Sequence, residues 1–442
     1  MLLTILLSTT LLLGEGDSSW DHASVSAYAI NTKTSEVVMD QSSDKSLMPA
    51  SCMKVITTAA ALQILGPETR FQTDLEHDGT VDRGVLQGNL YIRGGGDPCL
   101  GSERVEGSLS WDKQIEAWVD AIQKLGVKRI KGEVIGDATR WEKALAVPSW
   151  SWEDLGNYYG AGACALSFHE NAYQLFFKPG NEVGDKTAIL RQNPPMLALQ
   201  FQNEVTTGPV GSGDQACIYG SEFSPFHYVR GTIPAGVEEF SIKGSIPDPA
   251  GLCGAMLAKA LEAKGISIEH QKINGDKRTV FHTTYSPTVK EIVYWTNQKS
   301  INLYAEHLLK KMGEAVFKEG STKAGIKAVT DFWRSKKIDL NGFNMADGSG
   351  LSRKNLVTAQ QFVSILTQIK NSDFFPVFLE SLPQENEQIK AKSGSMSLVR
   401  GYVGYADEVI FAVLVNQCLD PKLTKKVKAF LSDANCLKPN KG

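Results

Sequence analysis

The sequence predicts an α/β chain of the α+β type: an antiparallel sheet covered by helices, interrupted by a large, mostly β insertion. Three observations carry this. Near the C-terminus, 388–397, 401–406 and 409–416 are strand-length segments whose connections are too short for a crossover, which makes them antiparallel neighbours. Near the other end, 51–65 is a run of small and apolar residues closed by Leu65-Gly66-Pro67, a helix with a clear stop. Between them, 138–250 is rich in aromatics, Pro and Gly and offers only short strand candidates.

The elements follow in chain order. Residues 1–13 are strongly apolar and precede the polar run 14–19. The apolar run is too short to span a bilayer. It matches the core of an export signal, although the basic residues that usually precede one are missing. A leader over 1–16 is expected, with export to the periplasm or cell envelope. Residues 21–38 alternate around a turn at 31–34 and read as a hairpin. The polar stretch 41–46 leads to Met48-Pro49-Ala50-Ser51, where proline closes the loop before the helix.

Beyond the helix, 71–96 reads as two or three strands ending in the tight loop Gly94-Gly95-Gly96-Asp97-Pro98. Trp111, Ile115, Trp118, Val119 and Ile122 mark an amphipathic helix over 110–125, and 130–137 is a strand. Short strands are expected around 168–178 and 226–246. Helix resumes at 250–264, 289–312 and 325–336, and a last helix over 422–431 covers one face of the sheet. The Ser51 helix and the C-terminal strands therefore form one discontinuous domain, 17–75 with 251–442. Residues 76–250 are an inserted accessory region of one or two small domains.

Composition removes several classes of function. The net charge of −3, from 46 basic and 49 acidic residues, gives no nucleic-acid footprint. No other segment approaches eighteen continuous apolar residues, which argues against integral membrane contact. The seven cysteines are spread too thinly for a disulfide scaffold, and no pair has metal-ligand spacing. Cys418 and Cys436 are candidates for one bridge, and Cys52 reads as packing. The seven histidines form no H-x-x-x-H cluster, so no metal is expected. The triple glycine lacks the glycine-lysine pair and following helix of a phosphate loop, and no cofactor is expected.

One residue stands out on energetic grounds. Lys54 lies in Ser51-Cys52-Met53-Lys54-Val55-Ile56-Thr57-Thr58-Ala59-Ala60-Ala61, a helix that is small or apolar on nearly every face. Lysine is almost never fully buried without a partner, and burial either costs several kcal/mol or strips the proton. Its same-face polar neighbour, one turn back, is Ser51. A hydroxyl beside an amine of lowered pKa is a nucleophile and base pair. Alone, S-x-x-K is a weak pattern that arises by chance in many chains.

Two further elements join it. Ser300 and Asn302, in Lys299-Ser300-Ile301-Asn302, enter a common cleft only from a loop or irregular turn; on a regular helix they diverge. The plainer reading is an ordinary helix cap. In Lys392-Ser393-Gly394-Ser395, Gly394 removes a side chain where something approaches the strand closely. Lys392 and Ser393 offer a cation and a hydroxyl suited to a carboxylate, the plainer reading being an exposed strand with solvated lysines.

In order, S-x-x-K, S-x-N and K-[ST]-G resemble the signature set of penicillin-binding proteins and serine β-lactamases, on a β-lactamase/transpeptidase-like domain. Gly94 to Pro98, Tyr158-Tyr159-Gly160-Ala161 with Ala165-Leu166, and Asp347-Gly348-Ser349-Gly350-Leu351-Ser352-Arg353 are similar to the low-molecular-mass class C members. These are D-alanyl-D-alanine carboxypeptidases that also act as endopeptidases. The resemblance covers essentially the whole chain after the leader.

It implies roles at the matched positions. Ser51 is the acylated nucleophile and Lys54 its base. Ser300 relays the proton to the leaving amine, with Asn302 and Lys299 orienting around it. Lys392 and Ser393, on the strand with Gly394 and Ser395, hold the terminal carboxylate of the substrate. The N–H groups of Ser51 and Ser395 form the oxyanion hole. A charged Lys392 also helps to keep Lys54 neutral. The implied partners are peptidoglycan stem peptides ending in D-Ala-D-Ala, and β-lactams as acylating inhibitors. Asp347 to Gly350 is expected to shape a turn beside the cleft. Ser393 stands where threonine is common, and Cys99 and Cys164 are atypical; neither cysteine is expected to carry chemistry. A β-lactamase or esterase on the same fold, or an inactive wall-binding homologue, are the alternatives.

Overall fold

A short Asx turn joins the first two strands of the described chain. Asn31 Oδ1 accepts from the N–H groups of Lys33, at 2.9 Å, and Thr34, at 3.1 Å. This reverses the backbone and lets β1 (Ser24–Asn31) pair antiparallel with β2 (Val37–Gln41). The computed structural model describes residues 22–196, 198–275 and 277–419. The expected leader, the helix at 422–431 and the Cys418–Cys436 bridge lie outside them.

After β2 a 3-10 turn, Ala50–Cys52, runs straight into helix α1 (Met53–Leu65). Gly66, at φ +84°, ends it in a left-handed conformation that favours glycine. All residues from Met53 to Leu62 are buried, as expected of a helix without a polar face. The chain returns to this unit with α2 (Val289–Gln298), α3 (Asn302–Phe317), α4 (Thr322–Ser335), α5 (Ala359–Lys370) and α6 (Phe375–Ser381). Helix α1 packs against α2, α3 and α4, while α5 lies on the sheet. Both reappearing helical stretches at 289–312 and 325–336 are thus helical, the first as two helices.

The three C-terminal strands are β3 (Ile389–Met396), β4 (Val399–Ala406) and β5 (Val409–Asn416). They form consecutive antiparallel hairpins, and β5 pairs with β1 from Ser24↔Asn416 to Asn31↔Val409. The sheet order is β3-β4-β5-β1-β2, with the motif-bearing strand β3 at an edge. Ala27, Ala29, Ala391, Phe411, Val413 and Val415 belong to one core of this sheet. Fully burying a side chain of valine or phenylalanine size stabilises by about 1.5–3 kcal/mol.

The chain divides into two compact units, and their boundary corrects the expected one. One unit takes the chain up to Glu68 and from Val289 onward; the other is Thr69–Thr288. Residues 69–75 and 251–288, assigned above to the catalytic domain, belong to the insertion. The reason is strand pairing: the strand that enters it, Arg70–His77, pairs antiparallel with the strand that leaves it, Thr279–Thr288. The helix Pro249–Ala263 buries Cys253, Leu257 and Leu261 in a core shared with Trp118 and Ile122 of the helix Trp111–Lys124. A second core, around Leu175, Phe177, Val205, Ile218 and Val229, lies among short strands from Ala172–Lys178 to Phe240–Ser245. The unit is β-rich, as expected.

Asp97, after the triple glycine, is buried and accepts a hydrogen bond from Cys99 N at 2.8 Å. Burial pushes its carboxyl up to about 7, against that weaker opposing bond. A carboxyl with a raised folded pKa contributes stability at low pH that is lost as pH rises toward that value. Asp97→Asn keeps the acceptor and removes the titration. Thermal melts should therefore show its midpoint gaining on the wild type between pH 4 and pH 8, with no further gain above; parallel pH curves would refute this reading.

Candidate active site

Ser51 sits on the 3-10 turn ahead of α1 because Pro49 and Ala50 force a bend there. Ala50 holds φ +46°, a conformation costly for a residue with a Cβ. The turn leaves Ser51 half-buried and points Lys54, one turn on, into the same space. Lys54 is fully buried.

The amine has three oxygen partners: Ser51 Oγ at 3.0 Å, Asn302 Oδ1 at 2.6 Å and the Ser349 carbonyl at 2.7 Å. Two of these oxygens, on Asn302 and Ser349, can only accept. A neutral amine has two N–H bonds and one electron pair. With both N–H bonds committed to the carbonyl oxygens, the pair faces Ser51, whose hydroxyl can donate to it. Burial first, and the charge of Lys392 second, hold the Lys54 ammonium down to about 7, while Asp347, Glu306 and Cys52 act in the opposite direction. A nucleophile within hydrogen-bond reach of a base poised near neutrality can attack an acyl group.

Asn302 reaches Lys54 because the expected helical stretch breaks at Lys299–Ile301. Helix α2 ends at Gln298, Ser300 turns left-handed at φ +56°, and α3 begins at Asn302. Ser300 is half-buried in this break and is not among the three partners of Lys54; Lys299 is exposed. The structure thus brings Ser51, Lys54 and Asn302 into one hydrogen-bonded group and leaves Lys299 outside it.

Lys392 is buried on β3 and donates to the Ser393 carbonyl at 2.7 Å. Burial lowers it to about 8, against Cys52 and Glu385. Gly394 meets the expectation of a close approach. A Cβ there would lie 2.4 Å from Pro49 O and 3.0 Å from Cys52 N, so the Ser51 turn packs directly on the strand. Cys52 Sγ donates to Lys392 O at 3.4 Å, and burial pushes its thiol up to about 12. It packs, as expected, and is not a nucleophile. Ser393 is half-buried and Ser395 exposed at the sheet edge.

Ser349 and Glu306 escaped sequence reasoning. The loop 347–350 does shape a turn: the Asp347 carboxylate accepts from Gly350 N at 2.7 Å, Ser352 N at 2.6 Å and Asn355 Nδ2 at 2.8 Å. Its contribution to the site is a backbone carbonyl, which leaves no residue-type signature. Glu306 did leave one: it is a carboxyl four residues after Asn302, on the same helix face. Among the described residues, no group of three His, Cys, Asp or Glu side chains is arranged to hold a metal ion.

Residues 16–434 match the D-Ala-D-Ala carboxypeptidase 3 (S13) family. The chain belongs to that family. It is 26% identical over 437 residues to a D-alanyl-D-alanine carboxypeptidase of Actinomadura sp. (strain R39), covering 90% of this chain and 79% of the relative. The crystal structure of penicillin binding protein 4 from Haemophilus influenzae superposes with a TM-score of 0.79 at 20% identity, covering 96% of this chain and 97% of the other. The same protein complexed with a β-lactam superposes with a TM-score of 0.74 at 20% identity, over the same shares of both chains. These structural likenesses establish the penicillin-binding-protein fold.

Gly394→Ala tests the packing of nucleophile on strand. The added methyl would push the Ser51 turn away from β3, and displacement of about 1 Å can cost about a hundredfold in rate. Reaction of Ser51 with an activated acyl probe should fall by about that factor while circular dichroism stays native. An unchanged rate would show that the close approach has no bearing on the site.

Proposed function

We propose that this chain is a serine-type D-Ala-D-Ala carboxypeptidase that works through an acyl-enzyme on Ser51. The observation that carries the reading is the hydrogen-bond set of Lys54, whose two carbonyl partners leave its electron pair to Ser51. Family membership and the β-lactam bound by the Haemophilus protein support it.

In this reading Lys54 takes the Ser51 proton as Oγ attacks the carbonyl carbon of the penultimate D-alanine. The N–H groups of Ser51 and Ser395 receive the developing oxyanion. The C–N bond breaks, and the proton passes through Ser300 to the leaving amine, which departs as D-alanine. Water, activated by the Lys54 amine, then hydrolyses the ester and restores Ser51. Lys392 and Ser393 hold the terminal carboxylate, and Lys299, Gly394 and Ser395 line the approach. DD-endopeptidase action on cross-links is the same chemistry with a larger leaving group. Its substrate lies outside the cytoplasm, so export by a leader over 1–16 belongs to the proposal.

Labelled penicillin should acylate the purified protein at Ser51 and leave Ser51→Ala unlabelled. Release of the adduct should take many minutes; release within seconds would indicate a β-lactamase, and no adduct an inactive homologue. Digestion of defined muropeptides, followed by product masses, separates free D-alanine from broken cross-links.

The pH profile follows from the two lysines. Lys54 must lose its proton to act, and Lys392 must keep its own to hold a carboxylate. A plot of kcat/KM against pH should therefore be a narrow bell with its acid limb near 7 and its alkaline limb near 8. Lys392→Arg should move the alkaline limb upward, and an alkaline limb unmoved by that change would remove Lys392 from the role.

A further inference from the structure

We infer that Glu306 is a positioning residue for the base: it anchors the loop whose Ser349 carbonyl directs the Lys54 electron pair at Ser51. The inference rests on the function proposed above. Glu306 is buried on α3, one turn beyond Asn302 and on the same face. Its Oε1 accepts from Ser349 N at 2.8 Å and its Oε2 from Gly348 N at 3.1 Å.

The same loop is gripped from the other side by α1. Thr57 Oγ1 donates to Gly348 O at 2.7 Å, and Lys54 Nζ donates to Ser349 O at 2.7 Å. Gly348 O and Ser349 N are the two polar edges of one peptide plane, so Thr57 and Glu306 fix that plane completely. The next plane carries Ser349 O, held by Lys54, and Gly350 N, held by Asp347. With the first plane fixed, the second has little rotational freedom, and its carbonyl cannot turn away from the amine. An unanchored carbonyl would release one N–H of Lys54, and the electron pair would no longer have a single direction.

The carboxyl also has an electrostatic effect, opposite in sign. Facing Lys54 are Lys392 from β3, Cys52 from its own turn, Asp347 from the loop and Glu306 from α3. A negative charge on Glu306 favours the ammonium and works against the base. Burial and the neighbouring Asp347 carboxyl raise Glu306 to about 7, against the bonds from Ser349 and Gly348 that favour the carboxylate. Anchoring and charge thus make separable predictions.

Glu306→Gln keeps the shape but has one acceptor oxygen, so its NH2 meets one of the two backbone N–H groups. Stopped-flow acylation by a fluorescent penicillin separates the chemical step from initial binding. The chemical rate should fall by about ten- to a hundredfold with the binding constant unchanged, and its acid limb should move to lower pH. Titration of the Lys54 ammonium by nitrogen NMR should show the same downward movement. An unchanged rate and limb, or a loss confined to the binding constant, would overturn the inference. Should the wild type not be acylated at all, the proposed function fails separately. Solvent exchange of the Gly348 and Ser349 N–H groups still decides here: equal protection in wild type and variant overturns the anchoring by Glu306, and protection lost in the variant supports it.

Discussion

The structure around the candidate site depends on a lysine amine that is fully buried. Removing an ammonium from water costs several kcal/mol when nothing replaces its hydration. Three oxygens replace it around Lys54, and the remaining cost falls on the proton rather than the fold. The apolar residues beside it, Met53, Val55, Ile56 and Leu62, are fully buried and stabilise by about 1.5–3 kcal/mol each. The same burial that takes the amine out of water lowers its pKa.

The surroundings are arranged to keep that geometry stiff. Ser51 rides on a turn gripped from two directions: Gly394 of the edge strand lies under it, and Gly350 lies against Ala50. A Cβ on Gly350, at φ +87°, would come within 1.8 Å of Ala50 O. Backbone is therefore packed on backbone, with no side chain between to yield. Such contacts transmit strain rather than absorb it, and the left-handed Ala50 is kept in place by its neighbours. The site is built on a helix, a helix start and a strand, with one short loop pinned between the two helices.

Much of this was legible in the residues. The hairpin at Ser24–Gln41, helix α1 and the three C-terminal strands follow from alternation, a stop at Gly66 and short connections. The Ser51–Lys54 pair was readable because a charge in an apolar helix is an energetic anomaly, and Gly394 because a strand glycine implies close approach. The boundary of the insertion was not readable. Helical periodicity in 249–263 tells that a face is buried but not against what, and pairing between 70–77 and 279–288 spans too much sequence to register as a pattern. The Ser349 carbonyl was invisible for a different reason: every residue has one.

The pairing of β1 with β5 has a consequence for how the protein is made. The two strands are joined directly in space, yet the whole insertion lies between them in the chain. Closing so long a loop from a disordered chain is slow and entropically costly. Here the insertion's own first and last strands pair. Just outside them, Lys290 N donates to Pro67 O at 3.0 Å and Lys290 Nζ contacts Glu68 at 2.8 Å. A folded insertion therefore presents its two flanks side by side, and the remaining closure is that of a short loop. β1 emerges early in synthesis, but its partner β5 follows only after the whole insertion and the helices beyond it. The sheet against which the Ser51 turn packs is thus completed only when nearly the whole chain has been made.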